Sequence, residues 1–377
     1  MRPWLGTPDT RLERLYGLWL HLPRSVQWTV VDGYARLAQR HARGPAGPQR
    51  LVLFVTNRCT RRCGYCFYLD RLNDPKVSEL SSDEVRELAR TLPRRLATAT
   101  LTGGEPFLRN DLMELVWAFV DGNRSRAVTI NTNGDLPEQA EATVAGIVAH
   151  PGVRLQLHVS IQNEGDLTGA PGRTLDAFLR LARTTSRITR VATQTTIVRE
   201  NAGAIPDLLR TIRARGALAK LQHIRGVPGT VFPVRTGCLA EMPATLGEDR
   251  ALSVSEQEVV NAAVYRLLAE ADHPLFARAE WLHLKLATRI QQAGRPLYEC
   301  GAGTVDAVVF ENGDVSVCEP LRPTASLRDY AMDFKALWND TPFRRARAAV
   351  RGCACTHPCN IATASVLDRE LLHELLG

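Results

Sequence analysis

Short apolar runs alternate with amphipathic stretches from residue 50 to about 226. The runs at 51–56 (LVLFVT), 98–102, 127–131, 153–161, 189–198 and 219–225 are rich in Val, Ile, Leu and Thr and predict strands. Between them, apolar residues recur at helical spacing near 81–93, 110–121, 137–148, 174–185 and 203–214. Ser81 with Glu84 three residues later makes a capping box, and Asn110 is the expected cap of the second helix. Strands that alternate with helices pair in parallel through right-handed crossovers. Six such units are too few to close an eight-stranded barrel. The expected fold is therefore α/β, a partial (β/α)6 TIM-like barrel.

The flanks read differently. Residues 1–48 predict an N-terminal helical extension: Leu15, Leu18, Trp19 and Leu22 recur at helical spacing, and a second amphipathic stretch follows from Trp28 to Ala42. It reads as a collar packed on the barrel. Trp4, Trp19 and Trp28 also suit an apolar–water boundary, which keeps a membrane-surface or lipid contact open. The run 44–48 (GPAGP) is a linker. Beyond the barrel, 254–270 and 276–292 predict helices of a connector that carries no motif. Strands at 305–310 and 315–318 flank Glu311-Asn-Gly-Asp314, a hairpin signature. The expected organisation is an N-terminal extension (1–48), the barrel core (49–235), a helical connector (236–297) and a small α+β C-terminal domain (298–377).

Composition changes this picture little. The 377 residues are 45% hydrophobic and 23% charged, which is ordinary for globular chains. There is no run of 18 apolar residues and no secretory signal pattern, so a cytoplasmic location is expected. The net charge of +7 comes from 47 basic residues, of which only Lys76, Lys220, Lys285 and Lys335 are lysines. They are scattered without a basic block, which argues against a nucleic-acid partner. Solvated arginine-rich faces account for the charge, and an acidic substrate remains open.

The nine cysteines carry the chemistry. An odd number in a chain of this kind does not suit a disulfide framework, and their clustering points to metal or redox work. Cys59, Cys63 and Cys66 follow the first strand at C-x3-C-x2-C spacing. A structural zinc site would want a fourth close ligand, and none follows. Three thiolates can instead hold three irons of a [4Fe–4S] cube and leave the fourth iron open. Cys300, Cys318, Cys353, Cys355 and Cys359 form a second group, brought together in part by the hairpin. They suit a second iron–sulfur cluster, with zinc as the rival because His357 lies among them. Cys238 stands apart, a small buried hydrophobe or a reactive thiol.

The segment Cys59–Tyr68 (CTRRCGYCFY), followed about forty residues later by Thr102-Gly-Gly-Glu-Pro106, resembles the radical S-adenosylmethionine (radical SAM) superfamily. The resemblance implies a six-unit open barrel, a [4Fe–4S] cluster on Cys59, Cys63 and Cys66, and S-adenosylmethionine on its open iron. It also implies that Gly103, Gly104 and Glu105 bind the methionine amino group and that Tyr65 lies beside the adenine. Asn131 lies in a recurrent turn near the substrate, Ser160 and Gln162 would face the ribose, and Arg173 is where the family often supplies an arginine. Gln162 departs from the acid that relatives often carry there. The element Gly313-x4-Cys318 is similar to the SPASM and shorter Twitch extensions. Five cysteines suit one auxiliary [4Fe–4S] cluster on Cys300, Cys318 and Cys359, with Cys353 or Cys355 as the fourth ligand. The implied function is an oxidoreductase that forms a 5′-deoxyadenosyl radical and removes a substrate hydrogen, leading to oxidation, epimerisation or bond formation. Cys238 is the candidate hydrogen donor for epimerisation. The substrate is a small molecule, a lipid or a peptide, although the short N-terminal extension disfavours a peptide leader-binding domain. A flavodoxin or ferredoxin would supply electrons. The rival class is a non-catalytic iron–sulfur or zinc scaffold, which would have no need of the GGEP element.

Overall fold

The computed structural model describes residues 10–42, 47–93, 95–224, 248–269, 273–350 and 356–376. Six of the seven residues of β1 (Arg50–Thr56) are buried, as suits a strand covered on both faces. It is followed by β2 (Thr98–Gly103), β3 (Val128–Thr132), β4 (Leu155–Ser160), β5 (Ile188–Ile197) and β6 (Leu218–His223). These six strands lie side by side in chain order, each neighbouring pair parallel. The crossover helices include Ser82–Thr91, Pro137–Ala149, Ala170–Thr184 and Ile205–Ala214. Among the described residues β6 does not pair with β1, so the barrel is open. On the far side of β1 the sheet continues. The strand β7 (Asp306–Val309) pairs in parallel with β1, and β8 (Asp314–Ser316) and β9 (Ala325–Ser326) add antiparallel to it. The expected hairpin is present, and it extends the barrel's own sheet.

Strand alternation separates two environments. In β4, Leu155, Leu157 and Val159 enter the apolar core beneath the helices, whereas Gln156, His158 and Ser160 face a central cavity. The expected capping box forms, with the Ser81 hydroxyl and the Glu84 carboxylate each accepting the other's backbone N–H. Asn110 is not a cap. The helix Leu112–Trp117 starts after Asp111, whose carboxylate is drawn off by Arg109 at 2.7 Å. The N-terminal helices Thr10–Trp19 and Arg24–Ala42 also differ from expectation. Their packing residues are Tyr16, Val31 and Ala35, set against Leu275, Leu282 and Leu371 of later helices. Leu15, Leu18 and Leu22 point outward and are exposed. Tyr16 sits one position off the leucine stripe, and an aromatic anchor took the inner face. No helix among the described residues is long and apolar enough to cross a membrane.

One buried carboxylate ties the C-terminal hairpin to the loop after β1. Glu311, fully buried, accepts the Tyr68 hydroxyl and pairs with Arg71 at 3.2 Å. Phe54, Tyr68 and Phe310 pack around this point, with the Arg71 guanidinium 4.7 Å above the Phe310 ring. Replacing Glu311 by Ala leaves a buried hydroxyl without its acceptor. We expect chemical denaturation of Glu311→Ala to show a loss of about 1–3 kcal/mol. A change within measurement error would show that the hairpin docks without this tie.

Candidate active site

The loop after β1 is held by amides that replace sheet hydrogen bonds where the strand ends. Asn57 donates to the carbonyls of Arg71 (3.1 Å) and Asp74 (2.9 Å), and Asn73 accepts the Cys59 N–H at 2.9 Å. Arg61 is pinned between Asp135 and Asp166, which hold its guanidinium charged. Within this frame Cys59, Cys63 and Cys66 are each half-buried, carry free thiols and line the central cavity. Three thiols on one loop at the mouth of a cavity are a donor set that fits three irons of a [4Fe–4S] cube, with the fourth iron open to a ligand.

The turn after β2 meets this loop backbone to backbone. Gly104 N–H donates to the Thr56 carbonyl at 2.8 Å, and Glu105 N–H to that of Arg58 at 2.7 Å. Gly103 has φ of 131°, and a Cβ on Gly104 would lie 2.0 Å from the Arg58 oxygen. Glu105 does not line the cavity. It is fully buried, accepting N–H groups of Phe107 (3.1 Å) and Asn133 (2.7 Å) and the Thr132 hydroxyl (2.8 Å). Burial nevertheless outweighs these donors and lifts its carboxyl to about 7. Arg109 locks the turn from behind by donating to the carbonyls of Val55 (2.9 Å) and Leu80 (2.8 Å).

The cavity measures about 380 Å³ and runs through the barrel lumen. Tyr65, Gly103, Gly104, Asn131, Ser160 and Gln162 line it. Burial and then the neighbouring Cys63 raise the Tyr65 phenol well above its ordinary value. The Gln162 amide is spent on β5, donating to the Gln194 carbonyl (3.3 Å) and accepting the Thr196 N–H (2.8 Å). Arg173 does not join them: it is exposed on the first turn of Ala170–Thr184, away from the cavity. Cys238 lies outside the described residues.

Several lumen residues were missed by motif reading. His158 (β4), Arg190 (β5) and Lys220 (β6) face the cavity, joined by Glu280 and His283 of the helix Pro274–Ala293. The connector thus contributes to the site. The available sequence signal was polar alternation inside β4 and single basic residues inside otherwise apolar strands.

Two cysteines of the second group, Cys318 and Cys359, meet at the start of the helix Pro358–Leu367. Cys318, just after β8, is buried with its Sγ 3.4 Å from Asn360 Nδ2. Cys359 also lines the cavity, and its carbonyl accepts from Arg50 at 3.2 Å. Cys300 lies before β7, half-buried. His357 Nε2 is 2.9 Å from Glu319, and its Nδ1 accepts the Cys359 N–H at 3.3 Å. Glu319, His357 and Cys359 thus bring three ligand atoms within 4.8 Å of one another, a group that could hold a metal ion. Cys353 and Cys355 lie outside the described residues.

Residues 53–212, from β1 to the helix before β6, match the family model described as the radical SAM superfamily. They form a radical SAM domain. The GTP 3′,8-cyclase of Caulobacter vibrioides is 30% identical over 209 residues, covering 52% of this chain and 54% of that protein. The enzyme of the same name from Marinobacter nauticus is 40% identical over 95 residues, covering 24% and 28%. The chain thus spans about half or less of these curated relatives. Among solved structures, Streptococcus suis SuiB bound to S-adenosylmethionine aligns with a TM-score of 0.55 at 14% identity, covering 79% of this chain and 67% of that one. His-tagged anSMEcpe with bound AdoMet aligns with a TM-score of 0.55 at 13% identity, covering 79% and 82%. The shared fold is the open parallel barrel. The superfamily works with a [4Fe–4S] cluster and S-adenosylmethionine.

Two expectations follow for the turn of the radical SAM domain. Gly104→Ala forces a Cβ against backbone and should cost at least about 2 kcal/mol, while Gly203→Ala, which meets nothing within 4 Å, should change stability little. Equal melting temperatures for the two variants would refute the close approach. For Glu105, the raised pKa means the folded state holds the proton more tightly than the unfolded state. Its contribution is complete below the ordinary value of 4.5 and is lost as pH rises through about 7. Stability measured against pH should therefore fall less over that window in Glu105→Gln than in the wild type.

Proposed function

We propose that the chain is a radical SAM enzyme in which Cys59, Cys63 and Cys66 hold the [4Fe–4S] cluster and the adjoining cavity receives S-adenosylmethionine. The observation that carries this reading is three cavity-lining thiols on one loop beside a positive-φ glycine turn. When bound, the cluster and its nucleotide supply reductive sulfonium cleavage and hydrogen-atom abstraction. The chain's own work is positional. The backbone of Gly103 and Gly104 presents polar groups to the methionine end, and Tyr65 with Phe67 offers aromatic surface for the adenine. The lumen encloses a substrate away from bulk water. The product is an oxidised, epimerised or newly bonded small molecule, sugar, lipid or peptide, with a flavodoxin or ferredoxin as electron donor. Cys300, Cys318 and Cys359, with Cys353 or Cys355, are the proposed ligands of an auxiliary [4Fe–4S] cluster.

Anaerobic reconstitution should give about eight irons per chain, by the ligand count of two cubes. Cys63→Ala and Cys318→Ala should each lose about half of that iron. With dithionite and S-adenosylmethionine the wild type should release 5′-deoxyadenosine, and Cys63→Ala should release none. A wild type that retains zinc in the tripod, or leaves the nucleotide intact when reduced, would establish the scaffold reading instead.

A further inference from the structure

The lumen holds an arginine that no carboxylate among the described residues pairs with directly. Arg190 is 6% exposed, and its Nε and Nη2 have no hydrogen-bond partner among the described residues. Lys220, two layers higher by strand register, is answered by Glu280 at 3.0 Å, and Glu280 also accepts the Leu221 N–H. Glu280 is the carboxylate that acts on Arg190, and Lys220 already occupies it. Phe276 lies 5.8 Å from the Arg190 guanidinium and supplies a ring face, not an acceptor. A buried guanidinium with unmade hydrogen bonds is costly, and an anionic ligand in the cavity would satisfy both its charge and its donors.

A second orphan adds a requirement on that ligand. His158 Nδ1 meets Asn131 Oδ1 at 3.0 Å, while its Nε2 is buried without a partner among the described residues. With Nδ1–H donating to Asn131, Nε2 keeps its lone pair and accepts. Arg190 pairs in register with Gln156, and His158 is two residues further along β4, a rise of ~6.6 Å. Both residues line the same cavity as the three thiols.

We propose that the lumen binds a hydroxylated small molecule whose terminal oxyanion, phosphate or carboxylate, pairs with Arg190, while a hydroxyl or amine nearer the cysteine loop donates to His158 Nε2. This deepens the radical SAM reading by naming the substrate class, and rests on it for the chemistry. By register Arg190 is level with Val52, four residues or ~13 Å below the end of β1. The anion is therefore the far end of the substrate, and the reacting carbon lies toward the cysteine loop.

The test is calorimetric titration of the reconstituted, anaerobic protein at fixed ionic strength with ribose 5-phosphate, gluconate, inorganic phosphate and neutral ribose. The wild type should bind ribose 5-phosphate or gluconate saturably, and which of the two it prefers tells phosphate from carboxylate. Arg190→Gln should weaken that binding at least tenfold and Arg190→Lys less. His158→Phe should weaken ribose 5-phosphate or gluconate but leave inorganic phosphate unchanged. Without ligand, Arg190→Gln should melt higher than the wild type, because an uncompensated buried charge is gone. Absence of saturable anion binding to the wild type, or equal binding by Arg190→Gln, overturns the proposal. Release of 5′-deoxyadenosine by the wild type is scored separately: cleavage without anion binding refutes this inference alone, and anion binding without cleavage refutes the reading beneath it.

Discussion

Two backbones in van der Waals contact set the geometry of everything at the top of the barrel. The loop that carries Cys59 runs directly over residues 103 and 104, and the Thr56 and Arg58 carbonyls are met there by N–H groups of the next turn. Side chains at either glycine would occupy the space those carbonyls hold. Because the contact is made by main chain, it is indifferent to surrounding side chains and fixes the loop height relative to β2. Glu105, tied to Thr132 and Asn133, passes the same constraint to β3. Three consecutive strand ends are thereby locked into one rim, and the thiols inherit that rigidity.

Below the rim, the lumen obeys a different economy. A parallel sheet covered by helices usually fills its interior with branched apolar residues. Here the inward positions include Thr98, Thr129, Gln156, His158, Arg190 and Lys220. Most are satisfied within the wall: Thr98 with Thr129, Thr129 with Gln156, Lys220 with Glu280. Burial pulls the His158 imidazole well below its ordinary value, aided by the nearby Lys220 and Arg190 charges, so it stays neutral at physiological pH. Among the described residues that line the lumen, the residual imbalance is thus concentrated in the Arg190 guanidinium and the His158 lone pair. Concentration of that kind distinguishes a recognition site from a merely polar core.

Much of this was legible in the chain. The six strands and their helices follow from period and capping because local and tertiary preferences agree there, as at Ser81 and Glu84. The three thiols and the glycine turn are legible because their chemistry depends on short-range spacing. What sequence could not show depends on packing across long separations. Asn110 is not a cap because the helix begins one residue later, with Asp111 at the cap position. Leu15 and Leu18 face outward, whereas Tyr16 is buried with Leu275, Leu282 and Leu371, residues that only the tertiary fold brings to this helix. Glu280 sits in an amphipathic helix that looks like a spacer, and only the approach of that helix to β6 makes it the partner of a lysine sixty residues away. Arg173 was placed by analogy across a glycine-rich stretch, and the helix that starts at Ala170 carries it to the surface.

The extended sheet gives β1 a further role as a ruler. The cysteine loop leaves its carboxyl end after Thr56, whereas Arg50 at its first residue holds the carbonyl of Cys359. Six rises of a parallel strand separate these points, ~20 Å. Cys59, Cys63 and Cys66 at one end and Cys359 at the other line the same cavity. Pairing of β7 with β1 in register, Arg50 opposite Asp306, sets where the second group of sulfurs falls, and the Arg50–Asp306 ion pair at 3.4 Å reinforces that register. A molecule lying along the lumen with its anion on Arg190 is therefore flanked by sulfur at both ends, with its position between them set by a charge rather than by shape alone. Apolar contacts tolerate sliding along a tube, whereas a single buried guanidinium with directional donors does not. Control of which carbon meets the cysteine loop follows from the distance between that carbon and the substrate's own oxyanion.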